Sequence, residues 1–280
     1  MAVITISRLP GALGDSIAEA LATRLDYRLV RRHELAQLAE RLSGPDASFE
    51  ASPELRERSP SFWERFNEER RRYAAILRRV VTHLAEQDRV VIVGLGAGQL
   101  LRGLHNVLRV QVVAPAEVRL EQIMAHGYED VPGPLTREQA RDLMRQRERS
   151  GAGYMRYLFN IDWLDSQQWD LVINTASFSI PQAVELIASI VERGDLDPTP
   201  DDKRRLADLA LASRVETTLQ SDATVWVNGL RVWADSGVVR LEGEVITEED
   251  RETVEQVVRS IAGVRAVDNA LPLSESPPLR

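Results

Sequence analysis

The stretch ISRLPGALGDSIAEAL, residues 6–21, sets the reading of the first half of the chain. A β-branched run, Val3 to Ser7, enters a turn in which Gly11 and Gly14 flank Ala12 and Leu13, and a helical pattern follows at once. Strand, glycine turn and helix in this order make an anion site, because successive backbone N–H groups and the helix N-terminus point at one place. Such loops usually add a lysine, but the only lysine in the 280 residues is Lys203. Asp15 also places a carboxylate in the first helical turn, where phosphate oxygens would lie, and it would repel them. Ser16 and Glu19 fit a capping box, which would satisfy the helix start with no ligand at all. Both readings of the turn stay open at this level.

Composition narrows the classes. The chain is 44% hydrophobic, ample for packed cores, and it has no cysteine, so a disulfide framework, a thiolate metal site and a thiol nucleophile are excluded. Four scattered histidines give no zinc pattern, and no metal site is expected. A net charge of -8 argues against nucleic-acid binding. The arginine-dense patches Glu69 to Arg72 and Arg145 to Arg149 are the places where phosphate recognition could concentrate, with solvated helix faces as the plainer reading for the first. No charged-then-apolar leader and no run of 18 apolar residues is present, so the expectation is a cytoplasmic protein.

Up to residue 193, short β-branched runs alternate with helical stretches, which predicts a mainly parallel sheet with helices on both faces. Strands are expected at Val3–Ser7, Val90–Gly94, Val107–Ala114 and Asp170–Asn174. Helices are expected at Asp15–Leu25, Arg32–Leu42, Ser61–Glu86, Ala116–Ala125, Arg137–Ser150 and Pro181–Glu192. Ser43 to Pro60, rich in Pro, Ser and Glu, reads as a mobile excursion. Residues 194–203 read as a linker and 275–280 as a tail, leaving a second domain at 204–274. In it a helix (Leu206–Leu219) precedes a hairpin turning at Asp235-Ser236-Gly237. A helix capped at Thr247 and a last strand, Val264–Leu273, complete an α-β-β-α-β order. Trp226 and Trp233 alternate on the hairpin, where core or cross-strand packing is preferred over a membrane-contact patch.

Four blocks carry a resemblance: ISR with its glycine turn and IAEALATRLDY, then VVIVGLGAGQLLR, then VQVVAPAEVRLEQIM, then YMRYLFNIDWLDSQQWDLVINTASFS. In this order they resemble the cytidylate-kinase-like family of P-loop proteins, over residues 1–193. The resemblance implies a three-layer α/β kinase fold and phosphoryl transfer from ATP with Mg²⁺ to a nucleoside monophosphate such as CMP. It implies a nucleotide site at Arg8, Gly11, Ala12, Leu13, Gly14, Asp15 and Ser16, with Ser16 and water as oxygen ligands for the metal. It also implies a lid from Thr136 through Arg156 whose Arg141, Arg145 and Arg149, spaced i, i+4, i+8, clamp the transferring group. Asp162 and Asp165 match an Asp-Trp-x-Asp motif that reads as structural, with Trp163 buried and the aspartates capping.

The chain departs from the family pattern at three points. Gly11-Ala12-Leu13-Gly14-Asp15 stands where Gly-Ser-Gly-Gly and a basic residue are usual. Leu95 replaces an arginine after Val93-Gly94, and Arg31 or Arg32 replaces an acidic residue near the second helix. These losses set a second expectation beside the kinase, a pseudokinase acting as a regulator or scaffold. Residues 204–273 resemble a BON domain through VRLEGEVITEEDRETVEQVVRSIAGVRAVDNAL, which implies a protein or phospholipid partner. Assembly with a second copy of the chain is compatible with either expectation.

Overall fold

The computed structural model describes residues 2–43, 67–128, 131, 133–222 and 224–274. The proposed excursion after Ser43, the start of the helix read from Ser61, and the tail lie outside the described residues. The elements in chain order are β1 (Val3–Arg8), α1 (Gly14–Leu25), β2 (Arg28–Val30), α2 (Arg32–Ser43), α3 (Asn67–Glu86), β3 (Val90–Val93), α4 (Ala97–Leu100), β4 (Val107–Val113) and α5 (Ala116–His126). They continue with α6 (Arg137–Phe159), β5 (Leu171–Asn174), α7 (Ile180–Glu192), α8 (Pro200–Ser221), β6 (Asn228–Asp235), β7 (Val238–Glu244), α9 (Glu248–Ser260) and β8 (Ala266–Asn269).

Two compact units form. The first takes residues 2–35 and 87–199, and the second takes 36–43, 67–86 and 200–274. In the first, five strands pair in parallel in the order β2-β3-β1-β4-β5. β1 lies at the centre, with Thr5 level with Ile92 on one side and Arg109 on the other. Strands covered on both faces read as continuous apolar runs, and Val3, Ile4, Thr5 and Ile6 are all buried. On one face Ile4, Ile6, Val91, Val93, Val110, Val112 and Ile173 pack against Ile17 and Leu21 of α1 and Val184 and Ile187 of α7. Parallel strands direct their C-terminal ends to one edge, and the loops after β1 and β3 emerge there together.

β2 was not expected, because three residues between two helices carry too little alternation to mark a strand. α6 runs on from Ser150 to Phe159. α8 begins at Pro200, inside the stretch read as a linker. Proline is well suited to a first helical position, and Asp201 and Asp202 in the first turn complement the helix dipole.

The second unit shows the expected α-β-β-α-β order, with β6 antiparallel to β7 and β7 parallel to β8. Ser236 and Gly237 both have positive φ, 52° and 84°, the pattern of a two-residue type I′ turn. Thr247 and Asp250 cap α9 reciprocally. α3 packs along α8 in this unit, with Thr82 Oγ1 3.3 Å from Ser213 Oγ inside the contact. Trp233 departs from the packing expectation: it lies on the outward face of the edge strand and is 45% exposed. No helix among the described residues is long and apolar enough to cross a membrane.

Candidate functional site

The turn after β1 leads directly into the N-terminus of α1, although its sequence departs from the family pattern. The Ala12 amide donates to Leu9 O at 3.0 Å, and α1 starts with the Ile17 amide donating to Leu13 O. Gly11 has φ 76°, and a Cβ there would come within 2.5 Å of the Arg119 carbonyl oxygen. Leu13 stands where glycine is usual and still takes the left-handed conformation, φ 62°. For a non-glycine residue this costs roughly 1–2 kcal/mol. Gly14 is held by contact, since a Cβ would lie 2.4 Å from the Arg8 Cβ.

The cap of α1 is the αL residue Leu13, with no side-chain cap. This corrects the capping-box expectation: Ser16 is the third helical residue and cannot cap the helix it lies in. The amides of Leu13, Gly14, Asp15 and Ser16 therefore have no acceptor among the described residues. Orphan donors of this kind, at the positive end of a helix dipole, are what an anion needs.

Arg8 and Asp15 share this loop. The Arg8 guanidinium donates from Nε to Asp15 Oδ2 at 2.9 Å, with the side chains 28% and 36% exposed. Asp15 Oδ1 is buried and has no hydrogen-bond partner among the described residues. Arg8 Nη1 lies over Gly94, at 2.9 Å from where a Cβ would stand, so its side chain reaches from the glycine turn to the loop after β3. In that loop Gly94, Leu95 and Gly96 all have positive φ.

Arg119 was not singled out in the sequence, yet it ties the site together. Its guanidinium is buried, donates from Nε to Ala114 O at 2.8 Å and from Nη1 to Pro10 O at 3.2 Å, and meets Glu148 Oε1 at 2.6 Å. One side chain thus holds the glycine turn, the end of β4 and helix α6. The signal was available: Arg119 shares a helical stripe with buried Leu120 and Ile123, where a charge needs a partner. On the other side Thr175 Oγ1 donates to Ala12 O at 3.1 Å.

The lid reading falls on α6, a 23-residue helix with a Thr136–Gln139 capping box. Ala140 and Met144 pack on Leu120 and Ile123 of α5. Further along, Tyr154 OH donates to Leu95 O at 3.1 Å, and the Phe159 ring fills the space beside Gly96. Arg141, Arg145 and Arg149 each follow an inward residue (Ala140, Met144, Glu148) by one position. They therefore stand about 100° around the helix from the packed stripe. None of the three has an ion-pair partner among the described residues, and Arg145 and Arg149 are exposed.

The aspartates of the Asp-Trp-x-Asp motif accept hydrogen bonds from the residues that follow them, as the capping reading expects. Asp162 Oδ1 accepts from the Leu164 amide, and Asp165 accepts from the Gln167 amide and from Gln168 Nε2. The Gln168 and Gln167 hydrogen bonds lower the Asp165 carboxyl pKa below the ordinary range. Trp163 is half-buried rather than buried; its Nε1 donates to Ser7 Oγ at 2.8 Å, and its ring lies against Gly151. Arg31 pairs with Glu19 at 3.0 Å on the surface.

A parallel β2-β3-β1-β4-β5 sheet with a strand–glycine turn–helix at its centre defines an α/β protein of the P-loop kinase class. Residues 3–177 match the cytidylate kinase-like family, and the chain belongs to that family. Residues 207–274 match the BON domain. The chain is 29% identical over 192 residues to a cytidylate kinase of Methanocaldococcus jannaschii, covering 68% of this chain and 97% of that protein. It is likewise 29% identical over 180 residues to a cytidylate kinase of Methanosphaerula palustris, covering 64% and 91%. An uncharacterized protein from Eubacterium ventriosum superposes with a TM-score of 0.52 at 17% identity, over 69% of this chain and 99% of that one, a likeness of fold.

Proposed function

We propose that the protein binds a nucleotide at the turn from Arg8 to Ser16 and acts as a phosphotransferase of the nucleoside monophosphate kinase type. On this reading ATP is the donor and a monophosphate such as CMP the acceptor. The observation that carries it is the set of amides from Leu13 to Ser16 without an acceptor among the described residues, in a turn where Leu13 takes a left-handed conformation. The relatives named as cytidylate kinases support the choice of acceptor. Use of ATP is compatible with the expected cytoplasmic location.

Mg²⁺ is implied with ATP, and the donor set fits it. Among the described residues no three His, Asp or Glu side chains gather to hold a metal. Mg²⁺ in kinases needs little more, since it keeps several waters and binds mainly through substrate phosphates. Ser16, exposed in the first turn of α1, would be the hydroxyl ligand. When bound, the metal neutralises charge on the phosphates. The amides of residues 13–16 orient the donor, and Arg141, Arg145 and Arg149 supply planar donors to the oxygens on which charge accumulates. Calorimetry with Mg·ATP, then CMP and an ADP readout in the same sample, tests the reading; saturable binding with ADP formation is expected.

A second reading rests on the Arg8–Asp15 pair. In the motif G-x-x-x-x-G-K-[ST], the lysine follows the last glycine, and here Asp15 follows Gly14. The position that normally carries the positive charge carries a negative one, and the nearby Arg8 answers it. On this reading the first unit is a pseudokinase, and function passes to the BON domain and a protein or phospholipid partner. Binding without ADP formation, or no binding at all, would support it.

A further inference from the structure

β6 forms one edge of the three-stranded sheet, paired with β7 on one side only. Among the described residues no backbone hydrogen bond outside that pairing involves residues 229–235. From Leu230 to Asp235, six consecutive residues of this strand line a cavity of about 740 Å³ whose other wall is α3 and α8. Successive side chains of a strand point to opposite faces, so six in a row can border one space only along the strand's edge. The cavity therefore runs along the side of β6 that pairs with no strand among the described residues. Exposed edges are usually blunted by lysine, proline or a short strand. β6 has eight residues, neither lysine nor proline, and a register shift only between Asn228 and Arg231.

The charge of the cavity selects what the edge can pair with. In a chain of net charge -8, five arginines and three carboxylates line it. Arg78 meets Glu216 at 2.5 Å, and Arg204 meets Asp235 at 3.1 Å, so these charges are answered within the protein. Arg71, from α3, and Arg231, on β6 itself, have no ion pair among the described residues. Trp233, 45% exposed, adds a flat apolar surface on the same strand.

We propose that the open edge of β6 binds an extended acidic peptide segment of a partner protein, which adds as a fourth strand while Arg71 and Arg231 take its carboxylates. Main-chain pairing supplies affinity in this mode, and the side chains set the sequence preference. An acidic strand suits the site because arginine binds carboxylates bidentately. Arg231 lies level with Glu242 of β7, so alternating acidic and apolar residues on the added strand would continue the charge pattern across the sheet.

The test uses the full chain and a synthetic library of octapeptides alternating Asp or Glu with Val, Ile or Tyr. A matched library has Lys in place of the acids. The acidic library is expected to yield binders, and the tightest should slow hydrogen exchange at residues 230–235. Its affinity should fall roughly tenfold or more in the double variant Arg71→Ala, Arg231→Ala, and in 0.5 M salt (about 500 mM). Circular dichroism of the double variant should match the parent, since Arg231 makes no ion pair among the described residues and Arg71 attracts Glu216 only at longer range, while the Arg78–Glu216 contact remains. Equal binding of the Lys library, binding without slowed exchange at 230–235, or no binder at all would each overturn the proposal. So would displacement of the peptide by millimolar inorganic phosphate, which would mark the cavity as a small-anion site.

Discussion

The Nε of Arg8 donates to Oδ2 of Asp15 across the glycine turn, at 2.9 Å, so the loop's cation is answered by a carboxylate of the loop itself. An incoming phosphate meets two obstacles, the Asp15 charge and an arginine already engaged. Asp15→Gly removes both. Mg·ATP affinity is expected to rise about tenfold, the value of about 1.4 kcal/mol. Stability should fall by no more than about 1 kcal/mol, because the pair is about a third exposed. Calorimetry on both proteins measures the change, and an unaltered affinity would remove the idea that the loop blocks itself.

Arg145 makes no ion pair among the described residues and lies off the packed stripe of α6. If it stabilises the transferring phosphoryl group, Arg145→Ala should lower ADP formation with CMP by about 10²-fold or more, the loss typical of one preorganised donor. Its unfolding free energy should match the parent within about 0.5 kcal/mol. Turnover unchanged in the variant would rule out the clamp role.

Arg119 and Glu148 set the opposite case, where the charge is structural. Arg119 is 6% exposed and Glu148 33%, and the 2.6 Å contact joins α5 to α6. Glu148→Ala leaves the guanidinium buried with the Ala114 and Pro10 carbonyls as its acceptors among the described residues. A stability loss of roughly 2–3 kcal/mol is expected, below the full cost of breaking a buried pair because those acceptors remain. Urea denaturation measures it, and a loss under about 0.5 kcal/mol would show that Arg119 does not depend on Glu148.

The central strands were legible because a strand covered on both faces has to be apolar throughout, as Val90–Val93 is. The hairpin was legible because only a residue tolerant of positive φ, here Gly237, fits the second turn position. What the glycine turn conceals is conformational: Leu13 takes a glycine's φ, and nothing in its side chain announces that. The Arg8–Asp15 pair spans seven residues and exists only because the turn folds the helix start back over the strand end. The grouping of α3 with α8 was equally hidden, since an apolar stripe shows that a helix is covered without showing by what.

Glu216 of α8 gives the fold a pH signature. It is 6% exposed and accepts from Arg78 Nη1 at 2.5 Å. Burial pushes its carboxyl above the ordinary value of 4.5, while Arg78 and then Arg71 pull it back; the net direction is upward. An acid with a raised native pKa holds its proton in the folded state at pH values where the unfolded chain has released it. Stability therefore falls as pH rises from about 4.5 to the native value and is level above it, with a slope of at most about 1.4 kcal/mol per pH unit inside that window. Glu216→Gln cannot titrate and should lose this slope while keeping an oxygen acceptor for Arg78. Urea midpoints of both proteins between pH 4.5 and 8 should show the variant gaining on the parent with rising pH and then running parallel to it. A difference that stays constant across the range would mean that Arg78 holds Glu216 ionised in spite of its burial.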